Sequence, residues 1–215
     1  MNSDLLTYYA RRAREYEQVY RKPERQEEIR YLTHYLSQAF QDQSVIEIAC
    51  GTGYWTQYIA QTARSVVATD VSPEALEVAK TKDIPRQNVT FRLANLYRLP
   101  KPDHPFNAGF GGFIRSHIPR SQLIDFLESF HRPMMKGSKV IFIDNRYVAG
   151  SSTSLHSKDD EGNTFQKRQL ENGEEYVVLK NFPSETELRD TLQHHAIDIQ
   201  ITWLTYFWIL TYRTA

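Results

Sequence analysis

The strongest constraint on the fold is an alternation of short apolar runs with helix-like segments over residues 44–143. The apolar runs cover 44–49, 65–69, 88–93, 107–111 and 138–143. Segments of helical character lie between most of them, at 53–63, 73–81 and 120–132. Strands that alternate with helices form βαβ units and a mostly parallel sheet with helices on both faces. The sequence therefore predicts a doubly wound α/β domain.

The residues before the first strand predict two further helices, over 4–21 and 24–40, with a break at Pro23. In the second helix apolar residues recur at helical spacing, namely Ile29, Leu32, Tyr35, Leu36 and Phe40. In the first helix, Tyr8, Arg12 and Tyr16 lie four residues apart and are expected on one face. Such helices either pack an aromatic face on the domain or close over a ligand site.

The chain after the fifth strand departs from the alternation. Residues 148–163 are polar and rich in structure breakers, and they are too long for a routine connection, so this segment is either a lid or disordered. Residues 164–180 have the pattern of a β-hairpin that turns at Asn172-Gly173. A capping-box spacing at Ser184 then predicts a helix, and the aromatic run 201–213 predicts an antiparallel hairpin at the sheet edge.

Composition excludes several function classes. The 26 basic residues balance the 26 acidic residues among 215, so nothing favours a polyanion such as a nucleic acid as partner. Signal-peptide and membrane-helix patterns are missing from the sequence. The single cysteine, Cys50, cannot form an internal disulfide and fits a reducing compartment. We expect a cytoplasmic protein that binds neither membranes nor nucleic acids.

Glycines mark two ends of predicted strands, where ligands bind in a doubly wound sheet. Gly51 and Gly53 follow the first strand, and Gly109, Gly111 and Gly112 lie at the end of the fourth. Tight packing of a helix on a strand is an equally good reason for such glycines. A dinucleotide fingerprint requires a third glycine where Thr56 stands, and the lysine of a phosphate-binding P-loop is also missing.

Polar side chains at the same strand ends suggest what binds there instead. Glu47 lies inside the first strand, where a buried carboxylate is costly without a partner. Asp70 ends the second strand and is placed to accept hydrogen bonds from vicinal ribose hydroxyls. Asn95 follows the third strand, and its amide could pair with an adenine edge. These are the parts needed to hold an adenosine without a pyrophosphate.

Four stretches carry a resemblance to a known family: "EIACGTG", "VVATDVSPEALEVA", "NVTFRLANLYRLP" and "FNAGFGGFIRSHIP". They resemble the class I S-adenosylmethionine-dependent methyltransferases over roughly residues 40–145. The resemblance implies an α/β fold, with a Rossmann-like, seven-stranded, mostly parallel sheet whose last strand is antiparallel, N-terminal lid helices and an inserted β-hairpin. It implies S-adenosyl-L-methionine as cofactor, S-adenosyl-L-homocysteine as product, and no metal.

The resemblance also implies a single domain with four regions. These are an N-terminal helical lid at 1–40, a cofactor-binding core at 41–147, a loop and hairpin insertion over the substrate site at 148–182, and a C-terminal helix with edge strands at 183–215. The stretches "YYARRAREYE", "GTGYWT", "SHIPR" and "KRQLENGEEYVVLKNF" are similar to a small-molecule subgroup that includes the phosphonate O-methyltransferase of dehydrophos biosynthesis.

By this likeness, the expected cofactor-binding residues lie on the strand ends and the lid. They are Tyr8, Arg12, Glu47, Ala49, Gly51, Thr52, Gly53, Trp55, Thr56, Asp70, Val71, Asn95, Leu96 and Gly112. Asn95 and Asn107 stand where the family usually has aspartate. The second change argues against a catalytic acid at Asn107, and the two together are the only support for a non-catalytic cofactor-binding module. Trp55 is equally explained by packing.

The acceptor site is expected at the lid, at the end of the fourth strand and at the hairpin. His117, Tyr8 and Tyr16 are the predicted catalytic residues, and the substrate-binding residues are predicted to be Tyr9, Tyr20, His117, Arg168 and Lys180. A histidine near neutral pKa can act as a general base. Arginine matches the oxygens of a carboxylate or phosphonate. The alternative for His117 is a purely structural role, and the alternative for the basic residues of the hairpin is that they are exposed to solvent without binding a ligand.

The register of the hairpin decides whether Arg168 and Lys180 can cooperate. A two-residue loop pairs Arg168 with Val177 and turns Lys180 to the other face. A three-residue loop with a glycine bulge pairs Arg168 with Tyr176 and places Lys180 on the same face. We expect the second register, because it makes a cationic stripe. Small-molecule O-methylation of an acidic metabolite is then the leading function, with N-methylation of an amine as the alternative.

Overall fold

The fold is centred on a seven-stranded sheet. The computed structural model describes residues 3–13, 15–99 and 101–215. The order of the strands across the sheet is β3-β2-β1-β4-β5-β10-β9. Their bounds are β1 Ser44–Ile48, β2 Ser65–Asp70, β3 Val89–Leu93, β4 Phe106–Gly112, β5 Met134–Asn145, β9 Ala196–Trp203 and β10 Phe207–Thr214.

The directions of the strands confirm the predicted sheet. β1 pairs in parallel with β2 and with β4, β2 with β3, and β4 with β5. β10 is antiparallel to both of its neighbours, β5 and β9. The carboxyl ends of β1 to β4 therefore meet at one edge of the sheet, which is where ligands bind in this architecture.

The helices cover both faces of the sheet. They are α1 Ser3–Arg12, α2 Gln26–Ala39, α3 Thr56–Ile59, α4 Pro73–Thr81, α5 Leu123–His131 and α6 Glu185–Leu192. α4 begins where the sequence predicts, because Ser72 Oγ accepts the amide of Ala75 and proline occupies the first turn. α6 begins with the predicted capping box of Ser184 and Glu187.

Two predicted helices are shorter in the structure. The helix predicted over 4–21 passes through Arg14, which lies outside the described residues; α1 ends at Arg12 and a 3₁₀ helix covers Tyr16–Arg21. The amide of Glu15 donates to the carbonyl of Arg12 at 2.9 Å, which is the i→i+3 hydrogen bond of a 3₁₀ helix rather than the i→i+4 bond of an α-helix. Tyr16 therefore does not lie on one helix with Tyr8 and Arg12.

The segment predicted as a helix over 53–63 begins with turns and is α-helical only over Thr56–Ile59. The loop after β1 contains three residues with positive φ, namely Ala49 at 49°, Gly51 at 55° and Gly53 at 75°. Left-handed backbone conformations cannot be part of a right-handed helix. The helix therefore starts only after this loop has turned.

The hairpin belongs to a second, three-stranded sheet of β6 Ser157–Lys158, β7 Thr164–Gln169 and β8 Glu175–Leu179. The 148–163 segment is therefore an ordered loop that contributes β6. Arg168 pairs with Tyr176, which is the expected bulged register. Gly173 has a φ of 88°, and its amide donates to the carbonyl of Leu170 at 2.9 Å. That geometry is typical of a three-residue hairpin loop with a left-handed glycine.

The core consists of one apolar cluster on each face of the large sheet. One contains Val45, Trp55 and Phe110, and the other contains Ile46, Phe126 and Trp208. The alternation along β1 sends Val45 and Glu47 to the same face. Among the described residues, helices of the length and apolar character of a membrane span are not found.

Candidate active site

The loop after β1 owes its shape to two glycines. A Cβ on Gly53 would lie 3.1 Å from Cβ of Ala79, so glycine there allows the loop to pack closely against α4. A Cβ on Gly51 would meet open space, and only its φ of 55° favours glycine. Gly51 faces the cavity at the carboxyl edge of the sheet.

Asp70 holds this loop from the end of β2. Its Oδ2 accepts the amide of Gly51 and its Oδ1 accepts the amide of Ser72, both at 2.8 Å. Burial raises the pKa of Asp70, although these backbone bonds oppose the rise. A carboxylate has about four acceptor positions, so each oxygen can still accept another hydrogen bond from a ligand.

Glu47 lies behind the loop rather than in the cavity wall. The residue is 1% exposed, and its Oε2 has no hydrogen-bond partner among the described residues. Burial raises its pKa to about 8. A buried carboxyl without a donor is costly, so this position favours a nearby donor or a positive charge. The buried hydroxyl of Thr56 is close enough to oppose part of this rise in pKa.

A first cavity, here named the loop cavity, opens beside this loop. The predicted cofactor-binding residues that line it are Ala49, Gly51, Thr52, Trp55, Asp70, Val71, Leu96 and Gly112. Among the described residues, its wall contains neither lysine nor arginine. A pyrophosphate would find no cationic side chain there. The wall instead offers the Asp70 carboxylate and an apolar, aromatic surface, which fits an adenosine with a cationic tail.

Six predicted cofactor-binding residues lie outside this wall, including Glu47 and Thr56 behind the loop. Asn95 is exposed and outside the cavity wall, and its Oδ1 accepts the amide of Tyr97 at 2.9 Å. The amide oxygen that the sequence assigns to adenine is thus already bonded. Tyr8 and Arg12 line a neighbouring cavity, where Arg12 Nη1 donates to the Tyr8 hydroxyl at 2.6 Å. Gly53 packs behind the loop, as described above.

The neighbouring cavity, here named the cationic cavity, lies under the N-terminal segment and the hairpin sheet. Its lysines and arginines are Arg12, Lys22, Arg25, Lys167, Arg168 and Lys180. In the part of the chain that the structure describes, its wall contains no aspartate or glutamate. Basic residues of a cavity that are not paired with acidic side chains repel each other, and an anionic ligand relieves that repulsion.

Arg168 lies in the hairpin wall of this cavity without an ion-pair partner among the described residues. Its Nη1 donates to the hydroxyl of Tyr9 at 3.3 Å and its Nη2 donates to Oε1 of Gln166 at 2.8 Å. Its Nε is buried and has no partner among the described residues. Carboxylates within ion-pair distance are likewise not found there. A guanidinium in this condition can bind a ligand oxygen with a free N–H group.

Lys180 shares the face of Arg168, but its charge is already neutralised. Its Nζ donates to Asp144 Oδ1 at 2.9 Å and to Ser116 Oγ at 2.6 Å, and both ionic side chains are almost fully buried. Burial alone would raise the pKa of Asp144, but the charge of Lys180 and smaller contributions, the hydrogen bond from the amide of Ser116 among them, together outweigh burial and lower the pKa. The expected stripe therefore exists, with Arg168 as its unpaired member.

The two cavities adjoin at His117 and a group of aromatic rings. Tyr9, Tyr16, Tyr20, Phe113 and His117 line both. The Nδ1 of His117 lies 2.6 Å from the carbonyl of Leu179, so Nδ1 carries the proton. Its Nε2 then accepts from the hydroxyl of Tyr9 at 2.9 Å. Burial lowers the pKa of His117 well below 6.5, and Lys180 adds to this effect. His117 is thus a neutral imidazole.

Comparisons with known proteins point to one family. A family described as "Methyltransferase domain" matches residues 45–137. The solved structure of DhpI with SAH has a TM-score of 0.79 and 26% identity, covering 99% of this chain and 96% of that one. A DhpI-SAM-HEP complex has a TM-score of 0.80 and 26% identity, and covers 99% of each chain. Residues 45–137 therefore form a methyltransferase domain, and the whole chain has the fold of the S-adenosylmethionine-binding protein DhpI.

Curated relatives match this methyltransferase over shorter spans. A demethylmenaquinone methyltransferase of Tropheryma whipplei is 31% identical over 111 residues, or 50% of this chain and 45% of that protein. A malonyl-[acyl-carrier protein] O-methyltransferase of Hamiltonella defensa is 26% identical over 138 residues, or 64% of this chain and 50% of that protein. The chain spans about half the length of the curated relatives it matches.

The family's cofactor, S-adenosylmethionine, fits the residues of the loop cavity. The methyltransferase offers it the Asp70 carboxylate, a glycine loop and a wall without lysine or arginine among the described residues. Asn107 lies at the opposite end of β4, where its Oδ1 accepts the amide of Ser44 at 2.8 Å. Its amide is therefore structural, and its difference from the family aspartate does not bear on this cavity.

Sequence reasoning missed three contributors to the methyltransferase site. Asp144 is the penultimate residue of β5 at the carboxyl edge, and the same signal identified Asp70 at the end of β2. Lys22 and Arg25 belong to the stretch "RKPER", whose sequence is typical of a solvent-exposed turn. In the structure both residues line the cationic cavity. The hydrogen bond of Tyr9 to His117 spans 108 positions, and the sequence has no signal for it.

Proposed function

We propose that this methyltransferase transfers a methyl group to an anionic oxygen of a small acidic metabolite, such as a phosphonate or a carboxylate. The supporting observation is the cationic cavity next to the loop cavity, with Arg168 unpaired and acidic side chains lacking from the described wall. Arginine binds carboxylate and phosphonate oxygens with several parallel N–H groups.

In this reaction the protein mainly has to position the acceptor oxygen against the methyl group of the cofactor. S-adenosylmethionine supplies a methyl group that its sulfonium already activates. An acidic oxygen is anionic at neutral pH, so the chain needs to align it and exclude water rather than remove a proton. Tyr9, Tyr16 and His117 line the junction where the two ligands would meet.

His117 has a positioning role in this proposal. Its Nδ1–H is bonded to the carbonyl of Leu179, and its Nε2 lone pair is taken by Tyr9. The hydroxyl of Tyr9 in turn accepts from Arg168. This chain of hydrogen bonds fixes Arg168 against the junction, while an acidic acceptor needs no proton transfer.

We also propose that segments 1–40 and 148–182 enclose the acceptor. Tyr8, Arg12 and Arg25 enter the cationic cavity from the first segment, and Ser151 and Arg168 enter it from the second. The segments are joined by an ion pair of Arg11 with Glu174 and by a hydrogen bond of Gln18 Nε2 to Glu171 Oε1 at 3.1 Å. Residues 41–147 would hold the cofactor and 183–215 would complete the sheet.

N-methylation of an amine is the alternative. The aromatic rings at the junction would suit a cationic amine, but the lysines and arginines around them would repel it. For this reason the acidic acceptor is favoured.

The test is turnover of S-adenosylmethionine with a panel of phosphonates, carboxylates, phenols and primary amines, measured one by one as kcat/KM. The proposal predicts the highest values for phosphonates or carboxylates. Higher values for the amines would replace it with N-methylation.

A further inference from the structure

The cationic cavity treats its positive charges unequally. Lys180 is paired with Asp144 at 2.9 Å, and Lys167 is paired with Glu175 at 2.6 Å. Lys22 and Arg25 make no ion pair among the described residues, although Arg25 is only 7% exposed. Buried charges are costly unless a partner balances them, so the cations of a cavity that lack an ion pair must be balanced by a ligand or by solvent.

Lys22 and Arg25 converge on one neutral residue. Arg25 donates through Nη2 to Ser151 Oγ at 2.8 Å and through Nη1 to Asn145 Oδ1 at 3.2 Å. Both Lys22 Nζ and Arg25 Nη2 donate to the carbonyl oxygen of Ser151. A single neutral carbonyl orients these two cations without balancing their charge.

The charges of this pair act on each other and on the rest of the cavity. Burial lowers the pKa of Lys22, and the charge of Arg25 lowers it further, with a contribution from Arg168. Burial also lowers the pKa of Arg25. The charge of Glu24 opposes both shifts, but Glu24 is exposed, makes no ion pair with either cation among the described residues, and accepts from Ser151 Oγ at 2.7 Å.

Arg168 is anchored in a different part of the same cavity. It bonds to Tyr9 and Gln166, next to the junction with the loop cavity, whereas Lys22 and Arg25 bond to Ser151. Arg12 likewise makes no ion pair among the described residues, and it donates to the hydroxyl of Tyr8. The unpaired cations of the cavity therefore form two groups with different neighbours, Arg168 and Arg12 at tyrosine hydroxyls and Lys22 with Arg25 at Ser151. One lies beside the reacting position, and the other lies at the loop 148–153.

We propose that the acceptor carries two anionic groups, one that is methylated beside Arg168 and a second that Lys22 and Arg25 bind beside Ser151. This inference rests on the proposed function for its first group and adds the second. The acceptor class would be small diacids: dicarboxylates or phosphonocarboxylates. A monoacid would leave the Lys22–Arg25 group uncompensated.

Matched acceptors test the second group without changing the first. We would compare 3-phosphonopropionate with 3-phosphonopropionamide, and glutarate with its monoamide, which have nearly the same shape but one anionic group fewer. Binding to the protein with S-adenosylhomocysteine is measured by calorimetry, and kcat/KM is measured in parallel. Because a charge-assisted hydrogen bond is worth roughly tenfold or more in affinity, each diacid is expected to bind about tenfold or more tightly than its amide.

Lys22→Gln should remove most of this preference, so that diacid and amide bind within about threefold of each other. Lys22→Arg should restore it. Arg21→Gln is the matched control, because Arg21 is an exposed neighbour outside the cavity wall whose loss changes the net charge equally. Binding of S-adenosylhomocysteine to each variant reports whether it has folded.

The outcomes separate this inference from the proposed function. Equal binding of diacid and amide to the unmodified protein overturns the second anion site. So does a Lys22→Gln variant that weakens both ligands alike, or a loss of preference in Arg21→Gln. A Lys22-dependent preference in binding, without methylation of any acid, supports the second site and overturns the proposed reaction.

Discussion

Two cavities share a wall in this methyltransferase, and their other walls have opposite character. In the loop cavity, the described wall presents Asp70 and an apolar surface with neither lysine nor arginine. In the cationic cavity, the described wall presents basic side chains with neither aspartate nor glutamate. In the proposed function, this difference in charge decides which ligand each cavity binds. A cofactor with a cationic tail suits the first cavity and an acid suits the second.

The largest expected effect comes from removing the unpaired cation beside the junction. Arg168→Met should lower kcat/KM for an acidic acceptor by about 100-fold, because truncating a charge that binds an anion directly costs about 2–5 kcal/mol. Affinity for S-adenosylhomocysteine should stay within about twofold. Steady-state kinetics and calorimetry measure the two effects.

Lys167→Met is the control for this change. Lys167 is the adjacent residue and is paired with Glu175 at the exposed rim, with a side chain that is 49% exposed. Exposed pairs contribute little, so the expected loss is below about threefold. Equal losses in the two variants would show that general charge, and not the position of Arg168, attracts the acceptor.

The next effect tests the other side of the comparison. Asp70→Asn removes the charge and one of the two acceptor oxygens, so that only one of the amides of Gly51 and Ser72 can still donate to this side chain. Affinity for S-adenosylhomocysteine should fall by about tenfold or more, as expected for the loss of a charged hydrogen bond. KM for the acceptor should change little. A variant in which only the acceptor KM rises would contradict the assignment of the loop cavity.

A smaller effect is expected at the junction. His117→Asn should lower turnover by about threefold to tenfold, because an amide can still donate to the carbonyl of Leu179. Since the pKa of His117 in the folded protein lies well below 6.5, the ring stays neutral as the pH rises above that value. The kcat of the unmodified protein should therefore be flat from about pH 6.5 to 8.5.

A pH-rate profile of both proteins checks this point. A limb that rises through a pKa near that of free histidine, about 6.5, and disappears in His117→Asn would identify His117 as a general base. The acceptor would then be a neutral hydroxyl or an amine.

The smallest effect concerns the contact of the N-terminal segment with the loop cavity. Glu17 Oε1 accepts from Thr52 Oγ1 at 2.7 Å and pairs with Lys82 Nζ at 2.7 Å. Glu17→Gln keeps the hydrogen bond and removes the ion pair, which is worth up to about 1 kcal/mol when partly exposed. Affinity for S-adenosylhomocysteine should fall by about twofold to threefold in calorimetry. A loss as large as that of Asp70→Asn would place Glu17 directly on the ligand.

Local sequence signals predicted the sheet, Gly51 and Asp70, whereas most of the other residues of the loop cavity were predicted from the family resemblance. The local signals depend on residues only a few positions apart, as in the apolar runs, the Ser72-Pro73 start of α4 and the capping box at Ser184. Asp70 was found because a polar residue at the end of a parallel strand reaches the ligand edge. The first helix was predicted to be too long, because no glycine or proline in the sequence marks the change to 3₁₀ hydrogen bonds after Arg12.

The cationic cavity was harder to predict, because it depends on contacts between distant segments. The hairpin sequence left two registers open, and the left-handed Gly173 decides between them. Lys180 was identified as a ligand group, yet its partner Asp144 lies 36 positions away and neutralises it. Lys22 and Arg25 could not be predicted as cavity residues, because their position depends on contacts with the distant loop that contains Ser151.

The most direct test of the two-cavity account is the identity of the atom that receives the methyl group. The protein is given S-adenosylmethionine with an isotopically labelled methyl group and an equimolar mixture of 3-phosphonopropionate, glutarate, a phenol and a primary amine. The products are then identified by nuclear magnetic resonance. The account predicts that the label appears in a methyl ester of an acidic oxygen. Label on nitrogen or on the phenol oxygen would contradict it.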